Sequence, residues 1–99
     1  VRDGEVVASI VAGDPAGLAA AYDRYAPQLL AYCRSLLREP ADAADAVRDT
    51  FVIAASRLKG LRDPADLRPW LYTVARRACL RKLKAQKAAA AIYLAAPGV

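Results

Sequence analysis

The chain has 99 residues, enough for one domain with a single modest core, and a formal net charge of +5 from 15 Lys/Arg against 10 Asp/Glu. It holds no histidine, and its two cysteines lack a CxxC partner, so two thiolates alone would leave a zinc tetrahedron half empty and no metal or cofactor is expected. No run approaches the ~20 apolar residues that span a bilayer, and Arg2, Asp3 and Glu5 interrupt any signal-peptide pattern at the start.

Alanine inflates the 57% apolar content. Together with Leu and Arg it favours helix, and few stretches alternate with period two, so an all-α bundle of about four helices is expected. The first helix is predicted over residues 4–12, with Val6, Val7, Ile10 and Val11 at helical spacing and Gly13 ending it. Asp14-Pro15 then supplies an N-cap followed by proline at the first helical position.

A long second helix follows, to about Arg38. Its apolar stripe is Leu18, Ala21 or Tyr22, Tyr25, Leu29, Tyr32 or Cys33, Leu36 and Leu37. Pro27 lies inside this pattern and should bend it or mark a local irregularity. Tyr22, Tyr25 and Tyr32 read as half-buried packing, and Cys33 and Cys79 as small buried thiols of a reducing cytosol, with a disulfide left open.

Glu39-Pro40 breaks the chain. A third helix is predicted over residues 41–59, with Val47, Phe51, Ala54 or Ala55, and Leu58 buried, and with Asp42, Asp45, Arg48 and Asp49 on the other side. Gly60 reads as its left-handed terminator. A short loop with Asp63-Pro64 leads to Asp66, expected as the N-cap of a fourth helix that tolerates Pro69 in its first turn. Leu67, Trp70, Leu71, Val74, Ala75 and Ala78 gather on one side of that helix, with Arg76 nearly opposite and Tyr72, Thr73 and Arg77 on its flanks. Leu80 and Leu83 fall off the stripe. Residues 88–99 read as an alanine-rich tail or the start of a linker, after a domain over residues 1–87. With no methionine at position 1, the chain reads as a fragment.

Charge is segregated along the chain. Residues 1–56 hold five Lys/Arg against eight Asp/Glu, a net of −3, and residues 57–99 hold ten against two, a net of +8. From Leu67 to Lys87 there are seven basic residues (Arg68, Arg76, Arg77, Arg81, Lys82, Lys84, Lys87) and no acid. A basic helix with aromatic residues at its start is suited to a polyanion with flat bases, a nucleic acid. No histidine, nucleophile motif or phosphate loop accompanies the carboxylates, so an enzyme is not expected.

Three segments in order, LAAAYDRYAPQLLAYCRSLL, ADAADAVRDTFVIAASRLKG and DLRPWLYTVARRACLRKLKA, resemble the second conserved domain of sigma-70 family transcription initiation factors, in particular the extracytoplasmic-function group. The resemblance covers about residues 16–85. Its most specific pieces are Asp45-Ala46-Val47-Arg48-Asp49-Thr50-Phe51, similar to D-x-V-Q-D-T-F, and the run from Arg68 to Arg77, similar to x-x-W-L-x-x-I-A-R-N. The resemblance implies that the third helix docks on the clamp helices of the large subunit of core RNA polymerase through Asp42, Asp45, Arg48, Asp49 and Thr50. It also implies that Lys59, Arg62, Arg68, Trp70, Tyr72, Thr73, Arg76, Arg77 and Arg81 lie at or near the −10 promoter element and its displaced non-template strand.

A single strand needs a cationic track and flat or snug surfaces for unstacked bases, and the loop between Gly60 and Asp66 is the natural place for a base pocket. The chain departs from the family pattern in Ala44 for an acid, Arg48 for glutamine and Arg77 for asparagine. The first two make the docking face less acidic, and the third points to a different promoter preference. The family's domain for the −35 element has no counterpart in these residues, so stable promoter binding by this chain alone is not expected. The rival reading is a helical protein-interaction module, or a fragment governed by an anti-sigma partner that covers its basic face, without independent DNA binding. A basic helix on a membrane surface is disfavoured by the polar turn around Arg76.

Overall fold

A computed structural model of the chain describes residues 3–61 and 63–95, the side chain of Asp3 excepted. Four α-helices account for most of it: α1 (Asp3–Val11), α2 (Pro15–Leu36), α3 (Pro40–Arg57) and α4 (Leu67–Ala95). Two 3-10 turns, Leu58–Gly60 and Pro64–Asp66, lie between α3 and α4. No strand occurs among the described residues.

The joint between α1 and α2 follows from four residues. Gly13 takes φ +79°, and the N–H groups of Gly13 and Asp14 donate to the carbonyls of Ile10 and Ser9 at 3.0 and 2.9 Å. This paired closure satisfies carbonyls that a helix end leaves bare, and the left-handed φ favours glycine. Asp14 then caps α2, its Oδ1 accepting from the Ala16 N–H at 2.9 Å, with Pro15 next. The chain doubles back so tightly that a Cβ on Gly17 would lie 2.6 Å from the Ser9 Cβ and 2.7 Å from the Ile10 backbone nitrogen. The two helices therefore cross with their backbones in near contact, burying Val6, Val7 and Ile10.

Several boundaries differ from expectation. Val11 is exposed, because it falls on the solvent side of the α1 crossing. Pro27 lies within α2 without ending it, although it cannot donate to the Asp23 carbonyl one turn back. α2 stops at Leu36. Leu37 turns extended, with its N–H still bonded to the Cys33 carbonyl at 2.8 Å and its side chain buried, so Arg38 is outside the helix. α3 ends by tightening into a 3-10 turn in which the Leu61 N–H donates to the Leu58 carbonyl at 3.0 Å. Gly60 accordingly keeps negative φ and is not a left-handed terminator. The cap before α4 moves as well. Asp63, not Asp66, accepts from a turn N–H, that of Ala65 at 3.0 Å, and Asp66 sits inside the 3-10 turn.

The core comes from one stripe per helix. Where periodicity left a choice between sizes, the smaller residue is inside, Ala21 over Tyr22 and Cys33 over Tyr32; between two alanines, Ala54 is buried and Ala55 exposed. Leu29, Leu37, Leu58, Leu67 and Leu71 fill its centre, each fully shielded. Burial of each is worth roughly 1.5–3 kcal/mol. α3 and α4 run antiparallel, joined by their turns, and both pack on α2.

The body is smaller than the molecule. The radius of gyration is 16.3 Å, against about 13 Å for a compact domain of this length. The 57 Å long axis reflects α4, whose 29 residues reach about 43 Å at 1.5 Å per residue. Beyond Gln86, residues 87–95 project from the bundle as an exposed helix carrying Ile92, Tyr93 and Leu94 near its end. The tail therefore continues the domain's last helix through the described residues. No described helix is long and apolar enough to cross a membrane.

Candidate functional site

Two charged faces stand on the bundle, one on α4 and one on α3. The buried side of α4 (Leu67, Leu71, Val74, Ala75, Ala78, Cys79) fixes the helix's rotation, and the 3.6-residue period then fixes what points out. Arg68, Thr73, Arg76, Arg77 and Arg81 are exposed. Among the described residues none of Arg76, Arg77 and Arg81 has an acidic partner. Like charges at Arg77 and Arg81, one turn apart, oppose helix formation by about 0.2–0.5 kcal/mol. They are sustained because the opposite side is anchored in the core.

Aromatic residues edge this row. Tyr72 is half-buried, its ring edge-on to Tyr32 with centroids 5.2 Å apart, and the Arg68 guanidinium lies 5.5 Å from its centroid. Trp70 packs partly buried against the core, which is the role of an anchor with one accessible edge. Thr73 Oγ1 donates to the Pro69 carbonyl at 2.9 Å, leaving its lone pairs outward. Lys59 is exposed but belongs to a different place. It lines a cleft of about 550 Å³ with Val7, Val11, Gly60, Leu61 and Pro64, and a smaller one of about 240 Å³ near Ile10 and Leu18. Neither cleft includes a residue of α4. A concavity thus lies where the loop leaves α3, lined mainly by apolar side chains of α1 and the turns. Arg62 lies outside the described residues.

On α3 the acidic residues are not equivalent. Asp42 and Asp45 are half-buried, while Arg48 and Asp49 are exposed. Asp45 Oδ1 takes a 2.7 Å ion pair from Arg48 Nη1, and its Oδ2 lies 3.8 Å from Lys82 Nζ on α4. Asp42 Oδ2 accepts from Gln86 Nε2 of α4 at 2.6 Å. Thr50 corrects the expected set. It is fully buried, with Oγ1 donating to the Ala46 carbonyl at 2.8 Å. The cause is helical period: Thr50 shares a side with Ala43, Ala46, Val47 and Ala54, and the back-bonded hydroxyl makes its burial tolerable. It cannot touch a partner.

Sequence reasoning missed a groove of about 410 Å³ between α2 and α3, lined by Tyr22, Asp23, Ala26, Pro27, Leu30, Ala44, Val47 and Arg48. Tyr22 stands half in solvent, edge-on to Phe51 with centroids 4.9 Å apart. The signal was present in Ala44, whose methyl leaves the groove open beside Arg48. Gln86 and Lys82 were missed as neighbours of the aspartates, since 44 residues separate Gln86 from Asp42. Cys33 and Cys79 are free thiols, buried side by side between α2 and α4. No group of three or more metal-binding side chains occurs among the described residues.

The family model for sigma-70 region 2 matches residues 21–89, from the start of the α2 core stripe into the projecting part of α4. The ECF RNA polymerase sigma factor SigM of Mycobacterium tuberculosis (strain ATCC 25618 / H37Rv) is 33% identical over 86 residues, covering 87% of this chain and 44% of the relative. The chain thus spans less than half the length of that curated relative. No solved structure matches.

Proposed function

The chain belongs to the sigma-70 family as its region 2, and on that premise we propose that it docks on the clamp helices of core RNA polymerase and binds the opened −10 promoter element in the cytoplasm. Asp42, Asp45, Arg48 and Asp49 on α3 are the docking residues in this reading. Arg68, Tyr72, Thr73, Arg76, Arg77 and Arg81 on α4 track the non-template strand, with Trp70 anchoring the helix and Lys59 beside the turn cleft.

The observation that carries the reading is that Arg76, Arg77 and Arg81 have no acidic partner among the described residues, on a helix whose other side is locked in the core. Unpaired guanidinium groups attract phosphates without first breaking an internal ion pair. Their fixed spacing gives a strand a track, and Tyr72 under Arg68 offers a flat surface at its edge. Half-exposed carboxylates on α3 suit a protein partner that brings cations.

A salt titration of binding to a single-stranded −10 oligonucleotide tests this. Affinity should fall steeply, with a log–log slope of about −0.7 per phosphate contact. Replacing Arg76 and Arg77 with alanine should weaken binding and flatten that slope while helical content stays the same. Equal binding by the double variant would overturn the assignment. Absence of oligonucleotide binding by the unaltered chain would favour a protein-only module covered by an anti-sigma partner.

A further inference from the structure

The basic run of α4 does not all face one way. Arg76, Arg77, Arg81 and Lys84 point to solvent, but Lys82 lies over α3 with its side chain only 23% exposed and its ammonium 3.8 Å from Asp45 Oδ2. One turn further on, Gln86 reaches the same helix and donates to Asp42 Oδ2 at 2.6 Å. The two contacts repeat because α3 and α4 are antiparallel: 42 faces 86 and 45 faces 82.

We propose that Gln86 and Lys82 are positioning residues of the docking face, holding Asp42 and Asp45 in the rotamers that core RNA polymerase meets. The inference rests on the docking role read for α3 above. An aspartate on a helix surface loses rotamer freedom when a partner captures it, and one already held loses less. Gln86 is suited to this because its amide is neutral. It fixes the carboxylate and leaves the negative charge and the second oxygen, Oδ1, for a partner. Asp45 is held from both ends, by Arg48 of its own helix at Oδ1 and by Lys82 at Oδ2. Arg48 holds Asp45 through a direct ion pair, and the Lys82 ammonium adds electrostatic attraction from the other side. Asp49 is exposed and has no such support among the described residues.

A double-variant cycle on the affinity for core RNA polymerase tests the proposal. Asp42→Ala, Gln86→Ala and their combination are compared, with thermal midpoint and oligonucleotide binding as controls that a general structural defect would move. Gln86→Ala should weaken polymerase binding about three- to tenfold, as expected when the partner must itself order a freed side chain. It should leave both controls unchanged and add nothing in the Asp42→Ala background. Lys82→Arg should keep polymerase affinity where Lys82→Ala lowers it. If Gln86→Ala costs as much without Asp42 as with it, Gln86 contacts the polymerase itself and the positioning role is wrong. Tighter binding by Gln86→Ala would make the contact a competitor and overturn the proposal too. An effect of Asp42→Ala with none of Gln86→Ala defeats this inference and leaves the docking reading intact. No effect of Asp42→Ala, Asp45→Ala or Asp49→Ala defeats both.

Discussion

Cys33 of α2 and Cys79 of α4 lie side by side in the centre of the bundle, and neither has any exposed surface. Burial first, and then the neighbouring Cys79 thiol, push the Cys33 thiol from its ordinary 9.0 up to about 12. The thiol is thus a small core residue, held neutral. Native protein at pH 8 should react with iodoacetamide far more slowly than protein in denaturant, because the thiolate is the nucleophile. Equal rates would show that the α2–α4 contact opens readily.

The same shift has a consequence in alkali. The folded state holds the Cys33 proton to about 12 while the unfolded chain releases it near 9.0. Between those values the unfolded state binds fewer protons, so stability falls as pH rises. The contribution is complete below pH 9 and is lost progressively toward pH 12. Denaturation midpoints measured from pH 8 to 11 should fall less steeply for Cys33→Ala than for the unaltered chain. Parallel curves would sink this account.

Thr50 separates a core role from a contact role. Thr50→Val keeps the shape and removes a hydroxyl bonded only to the Ala46 carbonyl, which retains its own helical partner. Stability should change by less than about 1 kcal/mol, and polymerase affinity should stay within about twofold. Thr50→Asp buries a charge without a partner and should cost about 3–5 kcal/mol. A large loss of polymerase binding in Thr50→Val, without loss of stability, would return the residue to the docking face.

Two glycines make an opposed pair. Gly17→Ala places a methyl against Ser9 and the Ile10 backbone at less than 3 Å, and neither can retreat without moving α1. A loss of roughly 1–3 kcal/mol in urea unfolding is expected. Gly60→Ala meets nothing within 4 Å and needs no positive φ. It should be neutral or stabilise by about 0.4–1 kcal/mol through the unfolded chain. A reversed order of the two would show that the α1–α2 crossing is loose.

These cases separate what the sequence made legible from what it hid. Asp14-Pro15, Glu39-Pro40 and the stripe Leu67–Leu71–Val74–Ala78 act through neighbours within a turn, so helix starts and the exposed side of α4 could be read directly. Thr50 was misread because a family run was taken as a line of contacts, whereas a helix distributes consecutive residues around its circumference. Gly60 was misread because a glycine at a helix end is ambiguous between a left-handed stop and a tightening turn, and tertiary packing of Leu58 decides it. Gly17, Lys82 and Gln86 act across helices, and nothing local marks them.

Arg77 offers the sharpest division between stability and binding. It is exposed, has no acidic partner among the described residues, and stands four residues before Arg81, so their repulsion is uncompensated. Arg77→Glu converts that spacing into a favourable pair, with the acid N-terminal to the base. The helix should gain about 0.3–0.5 kcal/mol. For a domain of this size that raises Tm by about 1–4 °C. The same change places a negative charge where a phosphate would sit, so oligonucleotide binding should fall even as Tm rises. A fall in Tm would mean that Arg77 makes a stabilising contact in the folded chain. A rise in Tm with unchanged binding would mean that the strand does not pass over this turn of α4. Only a face kept at some expense of helix stability explains both movements together, and a face kept for solvation alone predicts the first without the second.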